Sequence, residues 1–248
     1  MSIFKLFDAY SLRARLLPAL LAAAPSVAAL MLLISWRSFD LKNAFATLAT
    51  FVLLYVLSDF ARRCGRSVEQ KIFINNGGMP SIVLFRRNDA VIDEGSKERY
   101  RNFLAKKLNI GVPSSEQESE DQEVADKFYE QCGVWLRENT RDVKKFSLLF
   151  SENVTYGFRR NIFGLKRLAI GLNLLTVIVC VGLLWNSVWT VNGDRAERVE
   201  IILLIAFAHL AYMIFAVRES MVWEAAKVYT RQLILSCESF LTASKGKK

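Results

Sequence analysis

The chain is 248 residues long, 52% hydrophobic and 23% charged, with a mean hydropathy of +0.22. It is too apolar for an ordinary soluble domain and too charged to be wholly embedded, so lipid-facing helices are expected beside one water-facing domain. The net charge of +9 is read as Lys and Arg at a membrane surface, not as a nucleic-acid footprint, because much of the basic excess hugs helix ends.

In chain order, residues 1–15 come first. Ile3, Phe4, Phe7 and Tyr10 have near-helical spacing and predict an interfacial amphipathic helix. An apolar run from Leu16 to Trp36 follows, then a second from Ala44 to Leu57, extended by Leu41 and Phe60. A hydrocarbon core about 30 Å thick needs roughly 20 helical residues, and backbone amides in lipid must be paired, so both runs are expected as helices. They make a transmembrane hairpin over 16–60. Pro18 falls in the expected first turn, where its absent N–H costs little, and Pro25 mid-span predicts a kink. Ala19/Ala23 and Ala24/Ala28 have the four-residue spacing that lets helices approach closely.

Residues 61–167 form the water-facing block. The second helix is expected to run on to about Phe73, where Asn75-Asn76-Gly77-Gly78 ends it. Ser81–Phe85 is strand-like, and Ala90–Ile92 is placed to pair with it as a short β-hairpin. Ser96 is the expected cap of a helix reaching about Leu108. Ser115 and Glu118 have capping-box spacing at the head of an acidic run from Glu116 to Asp126. That run has no His or Cys and reads as a solvated helix start, not a metal site. Val124, Phe128, Cys132 and Trp135 predict a core stripe. Asp142 is part of an expected cap for a helix carrying Val143, Phe146, Leu149 and Phe150. Glu152 to Asn161, with two ring residues, two arginines and Gly157, then Gly164, suggests an interfacial turn before the third span.

The third run is Leu168 to Val191 and the fourth Ile201 to Val217, giving a second hairpin over 168–217. In the final segment, 218–248, Val222, Ala226, Tyr229, Leu233, Cys237 and Phe240 continue at helical steps. This predicts a helix reaching some 35–40 Å beyond the span, packed on the central block or on a second copy. The tail from Lys245 is expected to be disordered.

Short-loop charge fixes the expected orientation. Lys5, Arg13, Arg15, Arg62, Arg63, Arg66, Arg159, Arg160, Lys166, Arg167 and Arg218 flank the spans on one side. The opposite side carries few basic residues, partly balanced by acids. By the positive-inside rule both termini and the central block are cytoplasmic. Trp36, Trp185 and Trp189 then lie towards the external ends as anchors. The fold class is therefore a mainly α membrane protein: four transmembrane helices, with a helix-rich cytoplasmic domain between spans two and three.

Chemistry is sparse. His209 is the only histidine and falls in the fourth span, so no Cys–His or Ser–His pair is available to the central block. No phosphate-loop, dinucleotide or zinc-ligand pattern appears, and no catalytic, cofactor or metal residue is assigned. Four cysteines lack ligand spacing, and none lies in an expected external loop. Two candidate sites remain. His209, Asn173 and Asn186 form an intramembrane polar set. Arg86, Arg87, Arg159 and Arg160 suit phosphate or lipid-headgroup contact.

Gly77-Gly78-Met79-Pro80, Thr140-Arg141-Asp142, and Glu152 to Asn161 with Gly164-Leu165-Lys166 resemble an uncharacterised bacterial inner-membrane family. In layout alone the chain is also similar to four-span membrane effectors of anti-phage defence loci, an analogy that transfers no residue roles. These likenesses imply a bacterial inner-membrane location. Three functions stay open: a non-enzymatic scaffold or effector, which oligomerises and binds a cytoplasmic partner or signal; a small channel or transporter; and a membrane-surface enzyme acting on a phosphate-bearing substrate. The lipid bilayer is the first partner expected, and direct nucleic-acid binding is not.

Overall fold

The computed structural model describes residues 9–33, 41–187 and 193–245, with the side chains at 41–48, 50, 51, 53, 54, 186, 187, 193–195 and 243–245 excepted. Helix is the only regular structure among the described residues. Three helical runs, Ala9–Leu33, Ser147–Trp185 and Ala196–Ala216, are long and apolar enough to cross a membrane. The expected second span lies in a further helix, Leu41–Asn75, where most side chains between 41 and 54 fall outside the described residues. The expected amphipathic helix of residues 1–12 lies outside them up to residue 8, as do Trp36, Trp189 and the tail from 246.

Contacts divide the chain into two units, Met1–Glu69 with Gly157–Val222, and Gln70–Tyr156 with Trp223–Lys248. The first unit begins with α1 (Ala9–Ser11), a π segment (Leu12–Leu16) and α2 (Leu17–Leu33), one continuous helical run. Pro18 therefore sits inside a helix that starts nine residues earlier, not in its first turn. The first unit also holds most of α3 (Leu41–Asn75), the larger part of α8 (Ser147–Ser187), and α9 (Gly193–Ala211) with its π segment Tyr212–Ala216.

Cross-helix contacts set the helix directions. Ala14 meets Asn161 and Ser26 meets Thr176, so α2 and α8 run parallel. Asn173 meets His209 while Lys166 meets Val217, so α8 and α9 are antiparallel. Gly65 lies against Asn161 and Glu69 pairs with Arg160, so α3 is antiparallel to α8. Leu175, Ile178, Leu204, Phe207 and Phe215 are each more than half exposed, an apolar surface suited to lipid.

Two expectations are corrected here. Glu152 to Asn161 is not a turn: α8 is helical from Ser147 through Ser187 without interruption. No proline falls in this stretch, and its glycines serve helix approach. A Cβ on Gly164 would lie 2.5 Å from the Gly65 nitrogen and 2.7 Å from the Cys64 carbonyl carbon. Small residues at such crossings let backbones approach. The second correction concerns the fourth span, which does not run on as one rod. Its helix ends in the π segment at Val217, whose ψ is 94°. Lys166 Nζ donates to the freed Val217 carbonyl at 2.8 Å, as a basic side chain at a helix C-terminus should. Helix resumes as α10 (Glu219–Leu235) and α11 (Cys237–Lys245), broken at Ser236.

The second unit packs α4 (Pro80–Val83), α5 (Glu94–Leu108), α6 (Ser115–Glu120) and α7 (Gln122–Asn139) with the end of α10 and α11. Leu84, Phe85, Leu104, Tyr129, Cys132, Leu136, Leu233 and Cys237 are buried in one core. The expected stripe holds at Phe128 and Cys132, but Val124 is half exposed. The α3 helix closes at Gly77 and Gly78, both at positive φ, where Gly78 N–H donates to the Phe73 carbonyl. Only glycine takes such backbone readily.

The expected hairpin over Ser81–Phe85 and Ala90–Ile92 does not form. Pro80 opens a helical turn instead, its favoured position. The buried Lys97 ammonium then donates to the Arg86 and Asp89 carbonyls at 2.6 and 2.7 Å. A lone two-stranded hairpin is marginal in water, whereas this turn places Leu84 and Phe85 in the core. Caps shift slightly from expectation: Asp93, not Ser96, caps α5, and the capping box joins Ser114 and Gln117. Asp142 Oδ1 does accept from the Lys144 and Lys145 amides ahead of α8.

Candidate functional site

The first unit carries a polar seam built around two prolines. A helix carbonyl normally accepts from the N–H four residues on, and proline has none. Pro18 leaves Ala14, and Pro25 leaves Leu21, without that donor. Asn161 of α8, itself fully buried, donates from Nδ2 to the Ala14 carbonyl at 2.6 Å. The His209 ring of α9 is buried as well, and its Nδ1 is held by α8. Both prolines are buried on the same side of α2. One helix thus presents two carbonyls without their usual donor, and α8 answers the first of them with a side chain.

Asn173 completes the seam. Its Nδ2 donates to the Ala206 carbonyl at 2.8 Å and lies 2.7 Å from His209 Nδ1. Donation to Nδ1 leaves the imidazole proton on Nε2. Asn173 Oδ1 and His209 Nε2 are buried without a hydrogen-bond partner in ordinary geometry. One turn along α8, Thr176 Oγ1 lies 3.0 Å from Ser26 Oγ, next to Pro25. Two of the three candidate intramembrane residues, His209 and Asn173, are therefore brought together. Asn186 lies in α8, and its side chain falls outside the described residues.

The four candidate phosphate arginines are divided between the two units. Arg86 and Arg87 belong to the second unit, Arg159 and Arg160 to the first. Arg86 makes a two-point pair with Asp126 at 2.9 and 2.7 Å. That pair and its charge raise the Arg86 pKa, against the opposing effect of burial. Arg87 bonds Glu118 at 2.5 Å and the Pro113 carbonyl at 2.8 Å. Arg160 pairs with Glu69 at 3.1 Å, and Arg159 reaches the Met221 carbonyl at 3.5 Å. Each is engaged by the protein's own acceptors.

Glu118 also accepts from the Tyr129 hydroxyl at 2.6 Å. Burial pushes its carboxyl up, but the Tyr129 and Arg87 hydrogen bonds and the Arg87 charge outweigh this and hold it below the ordinary range. Within the acidic run, Asp121 caps α7 while Glu118 and Asp126 pair with arginines. Among the described residues, no three His, Cys, Asp or Glu side chains converge in a way that could hold a metal ion. Burial pushes the Cys237 thiol up to about 12 and raises that of Cys132 as well, so both are inert as nucleophiles near neutral pH.

Sequence reasoning overlooked Asn161 and the Gly65–Gly164 crossing. The signal was available in part: Pro18 and Pro25 each mark a carbonyl four residues back. What a sequence does not show is which polar side chain faces it. No family model matches the chain, and neither a curated protein nor a solved structure matches it.

Proposed function

We propose that this chain is a multi-pass bacterial inner-membrane protein acting as a non-enzymatic scaffold or effector. In this reading its helices cross the bilayer four times, with both termini and the second unit in the cytoplasm. The alternating helix directions of the first unit support that threading. The observation that carries the functional reading is the internal engagement of its polar groups. Arg86, Arg87 and Arg160 are neutralised by carboxylates of the same chain, so an enzyme that holds phosphate through them loses its binding set. The seam residues join α2, α8 and α9 to one another, as a framework does.

In the second unit an open groove between α5 and α11, lined by Glu98, Arg99, Asn102, Phe103, Lys106 and Leu241, offers a mixed-charge surface for a cytoplasmic partner or signal. The sharper form of the proposal is an antiviral effector that perturbs the inner membrane when triggered, through association of copies.

The test is recovery of the full tagged chain from native membranes in mild detergent, with its mass and companions determined. The segment 61–167 alone is unsuitable, because Leu233, Ile234 and Cys237 belong to the same core. A homo-oligomer or a specific co-purifying protein is expected. A solitary monomer that turns over a phosphate-bearing substrate would overturn the reading. A second reading, a small channel or transporter, is favoured by the two unpartnered buried atoms at Asn173 and His209. Ion flux in vesicles containing the wild-type chain, abolished by His209→Ala with assembly intact, would establish it instead.

A further inference from the structure

The Asn161 lock has a neighbour with unusual electrostatics. By holding the Ala14 carbonyl, Asn161 fixes the π segment Leu12–Leu16 against α8. Gly157 allows the same close approach: a Cβ there would meet Ala14 Cβ at 3.0 Å and the Tyr10 hydroxyl at 2.8 Å. Arg15 lies in this segment, its guanidinium 5.5 Å from the centre of the Tyr10 ring, a stacking contact that orients the planar group.

Arg62 and Arg66 lie one turn apart on α3 and therefore share a face. Asn161 is the common neighbour of the two segments: it holds the Ala14 carbonyl, and a Cβ on Gly65 would lie 2.3 Å from its Oδ1, so Arg15 comes beside the turn of α3 that carries Arg62 and Arg66; burial, then the charges of Arg15 and Arg66, hold the Arg62 guanidinium below the usual arginine value. The Asp59 carboxylate, whose charge also acts on Arg62, is bonded to Arg63 at 2.9 Å. Among the described residues, none of Arg15, Arg62 and Arg66 makes an ion pair, unlike Arg63, Arg86, Arg87, Arg99, Arg101, Arg141 and Arg160.

Three guanidinium groups are thus carried by two neighbouring chain segments, and among the described residues no carboxylate pairs with any of them. Positive-inside topology asks only for charge on one side of the bilayer. It does not ask that a buried crossing bring Arg15 up to Arg62.

We propose that Arg15, Arg62 and Arg66 form a binding site for a phosphate-bearing anion at the membrane surface. The forked N–H donors of arginine match phosphate oxygens two at a time, and the bound anion relieves the mutual repulsion. Under the membrane reading, on which this rests, the site lies at the cytoplasmic headgroup level, where the phosphate of an anionic lipid is at hand. Free phosphate shares the chemistry.

The full chain, purified in detergent, is titrated separately with phosphatidylglycerol, phosphatidylcholine and inorganic phosphate, following its thermal midpoint; a ligand that binds only the folded state raises it. Phosphatidylglycerol is expected to raise the midpoint and phosphatidylcholine to leave it unchanged. An equal rise with inorganic phosphate identifies the free anion as sufficient, and a rise with lipid alone identifies the headgroup.

Arg62→Gln with Arg66→Gln is expected to weaken the anion's effect about tenfold or more. Arg62→Lys with Arg66→Lys keeps the charge needed for topology and folding but loses the two-point geometry, so it too weakens binding. No midpoint change with either anion, or an undiminished change in both double variants, overturns the proposal. Membrane fractionation separates this from the parent reading: a wild-type chain absent from the membrane fraction refutes the membrane assignment itself.

Discussion

Replacing Gly164 with alanine tests the crossing at the centre of the first unit. The new methyl carbon would lie 2.5, 2.7 and 2.8 Å from the Gly65 nitrogen, the Cys64 carbonyl carbon and the Gly65 Cα, all backbone atoms, where ordinary contact begins at 3.4 Å. Backbone has no rotamer to escape into, so α3 and α8 must separate by roughly 0.6–0.9 Å, which is large for a close-packed interior. Overpacking of this kind costs about 1–3 kcal/mol, a factor of roughly 5–150 in the folding equilibrium. Gly171, in the same helix, has open space where its Cβ would be, so Gly171→Ala should be neutral or gain up to about 1 kcal/mol from helix propensity. Midpoints from fluorescence-detected size exclusion after heating in detergent compare the two directly. If Gly164→Ala melts with wild type, or if Gly171→Ala loses as much, the close crossing is not what those glycines provide.

Asn161→Leu removes the donor to the Ala14 carbonyl and should cost about 1–3 kcal/mol by the same assay; Pro18→Ala, which restores a backbone donor four residues on, should recover part of that loss. A double-mutant cycle on Asn161 and Pro18 should give a coupling of about 0.5–1.5 kcal/mol, and zero coupling would dissociate the Asn161 amide from the Ala14 carbonyl. Glu118, whose folded-state pKa is depressed, contributes stability that is present above the unfolded value near 4.5 and is lost as pH falls through the lower folded value. Acid unfolding should therefore shift with Glu118→Gln, which flattens that limb at the expense of stability at neutral pH.

Much of the architecture was legible because its signals are strong and local. Apolar runs from Leu16 and Leu168 exceed what a soluble helix needs, and Gly77-Gly78 punctuates α3 where the sequence says it must. His209 and Asn173 stand out in the sequence because polar groups in an apolar run have few places to go, but which of them meet is not written there. The failures share a physical cause. Ser81–Phe85 is five residues long, and over that length a buried strand and a buried helical turn present the same composition; Lys97, distant in sequence, decides between them. Gly157 and Gly164 read as turn signals because glycine favours turns in isolation, yet a tertiary crossing uses their lack of a side chain inside a helix. Arg86 and Arg87 looked available for phosphate because their partners, Asp126 and Glu118, lie tens of residues away and announce themselves only as an acidic run.

Pro18 and Pro25 stand seven residues apart, so the carbonyls they release, Ala14 and Leu21, recur two turns apart on one stripe, about 10 Å along the axis. Only at those two depths does α2 offer a carbonyl without its usual donor. Sliding α2 by one turn would bring Asn161 against a carbonyl already bonded within the helix, so it would find no acceptor. Vertical piston strokes of this helix are consequently disfavoured, and any message relayed through it must travel as a tilt or a hinge.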